Sequence, residues 1–225
     1  MTRFTFSLAL LLVCRSAWAD EPITHAFFIA GPSFTGIIAE DGKEAWNSGR
    51  NAARDGFVLP NGNVLIAWDN EVVEFGDVLP QDPAAGGKLT MPPRDQRKTV
   101  WRYQKSEENR EIGTAVRLPH GDTLITELGP KPRLLEVDSA GQVKVDCPLQ
   151  PETDNAHMQT RMARKLPSGN YLVPHLLAFR VKEYTPEGKL VAEIKTDLEE
   201  LGGRAEENWP FTAIRLDKEI GRAHV

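Results

Sequence analysis

The residues with the clearest chemical potential lie in one short stretch, His157-Met158-Gln159-Thr160-Arg161. An imidazole that titrates near neutral pH can move a proton or attack as a nucleophile, and a guanidinium can hold an anionic group bidentately. His157 is the candidate catalytic residue, and Arg161 or Arg54 is the candidate clamp for a negatively charged substrate group. Gln159 offers amide hydrogen bonds beside them. His175, with Glu127 or Asp154, would complete a donor set with His157 for zinc or calcium, although no His-x-His or His-Glu-x-x-His spacing supports one. Trp209, ahead of Pro210, offers a flat ring on which a ligand could stack. The plainer alternative is that His157 and Arg161 pair with carboxylates of neighbouring segments and only fix the fold.

Something must bring these scattered residues together, and the chain repeats itself in a way that can. Leu59-Pro60-Asn61-Gly62-Asn63-Val64-Leu65-Ile66 recurs as Leu118-Pro119-His120-Gly121-Asp122-Thr123-Leu124-Ile125 and as Leu166-Pro167-Ser168-Gly169-Asn170-Tyr171-Leu172-Val173. A fourth copy starts at Ile214-Arg215-Leu216. The leading leucines are 59, 48 and 50 residues apart. Each copy continues with an apolar segment around a glutamate (Glu74, Glu136, Glu183). A Gly turn and another short apolar run follow in the later copies, Gly141 to Val145 and Gly188 to Ala192, and Gly42 to Trp46 foreshadows them.

Pro and Gly punctuate these runs as turns, and no sustained helical periodicity appears. The unit is therefore four short strands, a to d. A repeat of this length that cannot bury its own faces predicts an all-β propeller of four-stranded antiparallel blades. Four to five blades are expected in this chain, of a ring of six to eight. Gly56, Ala115, Ala163 and Ala213 each stand three residues before a leading Leu, which suits the crowded innermost strand. Strand parity then sorts the loops. The d–a and b–c connections, which carry Arg54, Glu111, Glu127, His157, Arg161, His175 and Trp209, share one end of the ring. His120 falls at the other end, as does the Pro/Gly-rich insertion 77–98. The recurring glutamates read as a structural ladder, and Trp46 and Trp101 as packing residues.

The same residues resemble the secreted quinoprotein-like β-propellers with Leu-Pro-Asn-Gly-Asn-type repeats (PQQ-like or YVTN-type), and the resemblance runs from about His25 to Leu216. Gly42-Lys43-Glu44-Ala45-Trp46 is similar to the Gly-Lys-x-x-Trp core of the pyrroloquinoline-quinone-type repeat. Later copies carry Val145 and Ala192 in place of that Trp. Quinone-dependent members also use an adjacent cysteine pair, whereas Cys147 stands alone after residue 19. With those departures no cofactor is assigned, and calcium or zinc are the ions the candidate donors would take. A second implied activity is that of arylsulfotransferase-like propellers, which use a histidine nucleophile.

The ends and the composition bound the rest. Arg3, the apolar run Phe4 to Val13 and Ala17-Trp18-Ala19 have the order of a signal peptide spanning 1–19. Export to the periplasm or outside the cell is expected, with no membrane span after cleavage. The formal charge of the 225-residue chain is −5, and removing Arg3 and Arg15 makes it −7. Such an acidic balance argues against a nucleic-acid partner. A small molecule, a carbohydrate or a protein is the expected partner. Ile220 to Val225 can be encoded by a string resembling a sequencing-adapter oligonucleotide. On that reading the blades occupy 20–218, 219–225 is a non-native tail, and the ring is truncated.

Overall fold

The computed structural model describes residues 25–79, 97–205 and 208–216. The expected signal peptide, most of the 77–98 insertion and the expected tail at 219–225 lie outside the described residues. Among the described residues, fifteen strands form four antiparallel sheets in strict chain order. The first has three strands, β1 (Phe27–Ala30), β2 (Thr35–Ile38) and β3 (Glu44–Asn47). The second comprises β4 (Asp55–Val58), β5 (Val64–Ala67), β6 (Glu71–Gly76) and β7 (Lys98–Gln104). The third comprises β8 (Glu111–Arg117), β9 (Thr123–Leu128), β10 (Arg133–Val137) and β11 (Val143–Pro148). The fourth comprises β12 (Arg164–Lys165), β13 (Tyr171–His175), β14 (Arg180–Tyr184) and β15 (Leu190–Lys195). These are the expected blades of an all-β propeller, and the first presents only b, c and d. Among the described residues no helix is long and apolar enough to cross a membrane.

The repeating turns explain why the strands begin and end where they do. Gly62, Gly121 and Gly169 close the a–b turns at φ of 79°, 104° and 89°. Each donates its N–H to the carbonyl of the Leu three residues earlier. The c–d turns use Gly42, Gly141 and Gly188 at 77°, 80° and 82°. A side chain at these angles is strained, so glycine is what lets one turn recur. In all four sheets the c–d pairing shifts register at the same place: after Ile37, Glu74, Glu136 and Glu183. The shift puts each of these residues at an equivalent position.

Burial follows the two-residue period of a strand. On β5, Leu65 and Ala67 face the third sheet with Ile112, Ile125 and Leu135, while Val64 and Ile66 face the first with Ile37 and Trp46. On β10, Leu135 and Val137 face the second sheet and Leu134 faces the fourth, beside Cys147, Tyr171 and Tyr184. A sheet packed on both faces must be apolar on both, so the central strands read as near-continuous hydrophobic runs. Trp46 packs edge-to-face on Phe75 with ring centroids 5.5 Å apart, and Trp101 donates its indole N–H to the Asp138 carbonyl at 3.1 Å. Both are packing residues. At Gly56 an added Cβ would stand 2.4 Å from the Phe28 ring, so the innermost strand there needs a residue without a side chain. Cys147 is buried, and burial pushes its thiol up to about 11, which leaves it inert.

The recurring glutamates form rungs between neighbouring sheets. Glu74 meets Arg117 at 2.6 Å, Glu136 meets Lys165 at 2.6 Å, and Glu183 meets Arg215. Each cation immediately precedes a leading Leu. At the first interface the matching positions hold Ile37 and Val58, so acid and base are both replaced by apolar residues.

Candidate functional site

Three d–a segments from three consecutive sheets converge at one end of the propeller. Arg54 stands just before β4, Glu111 opens β8, and His157 sits in the 3-10 turn Ala156–Met158 ahead of β12. Arg54 grips both Glu111 oxygens, at 3.2 and 2.6 Å, and its Nη1 also lies 2.9 Å from His157 Nδ1. A guanidinium can only donate, so Nδ1 must accept. The neutral ring therefore carries its proton on Nε2, an assignment made from the partner. Glu111 Oε1 stands 3.4 Å from the same Nδ1.

Beside this trio lies a pocket of about 350 Å³ lined by Arg54, Asp55, Thr114, His157, Arg161 and Phe211, among others. Arg161 is half-buried and spends one N–H on its own neighbour, the Thr160 carbonyl at 2.9 Å. No carboxylate pairs with it among the described residues. Burial, then repulsion from Arg54, lowers its pKa from the ordinary value, but a guanidinium stays charged. Asp55 contributes the opposite oddity. Its Oδ1 accepts the Gly56 N–H at 2.9 Å, while Oδ2 is buried with no hydrogen-bond partner. Burial raises this carboxyl to about 6.

Arg54, His157 and Arg161 thus come together, and the other candidates do not join them. Glu127 is fully buried, accepting from Tyr103 Oη (2.7 Å), Ser106 N and Oγ (2.8 and 2.6 Å), Asn109 Nδ2 (3.0 Å) and Arg133 Nε (3.1 Å). Burial alone would raise its pKa, but these donors hold it down at about 2. Gln159 is 3% exposed and staples two sheets: its Oε1 accepts from Gly129 N–H at 2.8 Å, and its Nε2 donates to the carbonyls of Gly129 and Thr153. His175 is buried against Tyr184, whose hydroxyl lies 3.0 Å from Nε2, with Glu152 3.4 Å from Nδ1. Burial lowers the His175 pKa and keeps the ring neutral, against a smaller opposing pull from Glu152. Trp209 is half-buried and does not line the pocket, whereas Phe211 does. Among the described residues His157, His175, Glu127 and Asp154 form no group able to share a metal ion.

Sequence reasoning singled out neither Asp55, Thr114 nor Phe211 as a site residue. Asp55 adjoins Arg54 at the start of an innermost strand, which was the available signal. Its missing partner is a property of the assembled sheets.

A model of the family described as Mal s 1 allergenic protein-like matches residues 33–221, and the chain belongs to that family. No curated protein matches the chain. Among solved structures, a protein of unknown function from Bacteroides caccae is similar at 21% identity and a TM-score of 0.59, covering 76% of this chain and 58% of that one. Virginiamycin B lyase from Staphylococcus aureus is similar at 12% identity and a TM-score of 0.45, covering 74% of this chain and 50% of its own. Its catalytically inactive H270A form with quinupristin gives 13%, 0.47, and 73% against 49%. The chain thus spans about half the length of these structures, and the likeness is one of fold.

Proposed function

We propose that this propeller of the Mal s 1 allergenic protein-like family is an exported binding scaffold. Its ligand is a small molecule or carbohydrate bearing a carboxylate, sulfate or phosphate group, held at the end where Arg54, His157 and Arg161 meet. One observation carries the reading: Arg161 presents a guanidinium to a 350 Å³ pocket with no carboxylate partner among the described residues. A half-buried charge left unpaired is costly, and an anionic ligand group would offset that cost. The His157 ring supports recognition over attack. With Nδ1 receiving from Arg54, Nε2 is a donor, suited to an anion's oxygen and unsuited to taking up a proton. An enzyme of arylsulfotransferase-like type is the second reading, and the Glu111 carboxylate beside His157 is the observation in its favour. No quinone enters the proposal, because the later repeats carry Val145 and Ala192 where the quinone-type motif has Trp, and Cys147 has no adjacent cysteine.

Thermal melts with sulfate and phosphate test the reading, since a ligand that binds only the folded chain raises the melting temperature. A concentration-dependent rise is expected for the native chain and should vanish in Arg161→Ala. No rise, or an equal rise in the variant, overturns it. Turnover of a sulfated phenol that disappears in His157→Ala would favour the enzyme instead. Export is checked separately by the N-terminal residue of the secreted protein, expected to be Asp20.

A further inference from the structure

At the opposite end of the propeller, the three a–b turns act as controls for one another. In the second sheet's turn, Pro60-Asn61-Gly62-Asn63, the Asn63 amide donates to Glu74 Oε1 at 2.6 Å. In the fourth sheet's turn, Pro167-Ser168-Gly169-Asn170, Asn170 donates to Glu183 Oε1 at 2.7 Å. The third sheet's turn keeps the backbone, with Leu118 N–H bonded to the Asp122 carbonyl at 2.8 Å and Gly121 N–H bonded to Leu118 O at 2.9 Å. Its residues are Pro119-His120-Gly121-Asp122. Asp122 therefore brings a carboxylate to the place where the other two turns bring an NH₂ group, and it confronts Glu136.

Glu136 is 3% exposed, and its Oε1 is already occupied by the Tyr171 hydroxyl (2.7 Å) and the Lys165 ammonium (2.6 Å). Its Oε2 is the oxygen nearer the turn's histidine. His120, the second departure of this turn, places Nε2 3.3 Å from Asp122 Oδ2 and 3.8 Å from Glu136 Oε2. All three donor atoms lie within 4.8 Å of one another. Lys165 offsets one of these two carboxylate charges, and a cation between Asp122 Oδ2 and Glu136 Oε2 would offset the other. Donors each about 2.0–2.1 Å from a tetrahedral ion stand roughly 3.3–3.4 Å apart; the His120–Asp122 pair already stands at 3.3 Å, and Glu136, 3.8 Å from His120, would draw in to complete the set.

We propose that His120 Nε2, Asp122 Oδ2 and Glu136 Oε2 form a site for a divalent transition metal, with zinc the ion this donor set suits. A neutral imidazole selects zinc over calcium or magnesium, which prefer oxygen alone. His120 is half-exposed, so a fourth position opens to solvent. The ion ties the third sheet's a–b turn to its c strand and, through Glu136 and Lys165, to the fourth sheet. This site shares no residue with the Arg161 pocket, so either proposal can fail without the other.

Zinc titration by calorimetry on the full chain at pH 7.5 tests it. One zinc per chain is expected. Asp122→Asn recreates the amide that Asn63 and Asn170 supply, and His120→Ser copies Ser168, so both variants reuse chemistry this fold already accepts. Each should weaken zinc by at least about 100-fold, the upper range seen when even an outer-shell partner is lost. His157→Ala should leave the affinity unchanged. Absence of 1:1 binding by the native chain overturns the proposal. Unchanged affinity in Asp122→Asn and His120→Ser overturns it as well, placing the ion elsewhere.

Discussion

The two ends of the propeller are made from the same four-strand unit, yet they use charge differently. At the a–b and c–d end, charge repeats: a c-strand glutamate meets the cation before the next leading Leu in three successive interfaces. At the d–a and b–c end a c–d ion pair recurs within three sheets (Glu71 with Arg102, Arg133 with Asp146, Arg180 with Glu193), but the groups that meet between sheets differ. Arg54, Glu111 and His157 occur once each and meet across three sheets, and Glu127 sits in a five-donor knot with no counterpart in the other repeats. Apart from the 77–98 connection, the turns at the first end are short and pinned by Gly at φ between 77° and 104°, so residues at equal register meet equal neighbours. The segments at the second end vary in length, so each is free to carry a different group. Repetition marks what holds the blades together, and its breakdown marks candidate chemistry.

Replacing the most committed polar residue of the irregular end gives the largest expected effect. Glu127→Ala should cost about 3–5 kcal/mol in urea unfolding at pH 7, because Arg133, Asn109 and Ser106 lose a buried partner at once. Glu127 is held near 2 when folded, against an ordinary 4.5, so its contribution is present above pH 4.5 and lost as pH falls through about 2. A variant as stable as the native chain would mean the knot is ornamental and the contrast between the ends is overstated.

Asp55→Asn tests whether the irregular end trades stability for a site. The folded carboxyl, at about 6, binds protons more tightly than the unfolded one at 3.8. Stability on its account is therefore full below about pH 4 and declines as pH rises through 6. The variant should be more stable by about 2–3 kcal/mol at pH 7.5 and equal to the native chain near pH 4. Equal stability at both pH values would remove Asp55 from the account.

The smallest effect should come from copying one interface into another. Glu74→Ile with Arg117→Val reproduces Ile37 and Val58, and the double variant should lie within about 1 kcal/mol of the native chain. Glu74→Ile alone should cost about 1–2 kcal/mol, since it strands Arg117 and the Asn63 amide. A double-mutant cycle with no coupling would show that the rungs do not act as units.

Leu-Pro-x-Gly followed by an apolar run was readable as a turn and a strand because turn chemistry is local. The same holds for the small residues at Gly56, Ala115 and Ala163 and for the packing role of Trp46 and Trp101. The ladder of Glu74, Glu136 and Glu183 was readable as structural because it recurred, although its cationic partners lie in the next repeat. Strand parity assigned His157, Arg54 and Arg161 to one end, and the three line a common pocket. Glu127, Gln159 and His175 were assigned to the same end, but their types could not show that each is buried between the sheets. Polarity in a loop is visible in sequence, and burial of that loop is not.

The sequence alone therefore determined the unit: four strands, where each turns, and which residues of a strand point into a blade interface. Those properties depend on neighbours a few residues away and on a period of two. Only the tertiary structure decided that Arg54 meets Glu111 57 positions on and His157 103 positions on, that Asp55 Oδ2 is left without a donor, and that Asp122 faces Glu136. Those meetings depend on how successive sheets rotate about the common axis. No local pattern encodes that rotation, because it is set by the packing of whole sheets against one another.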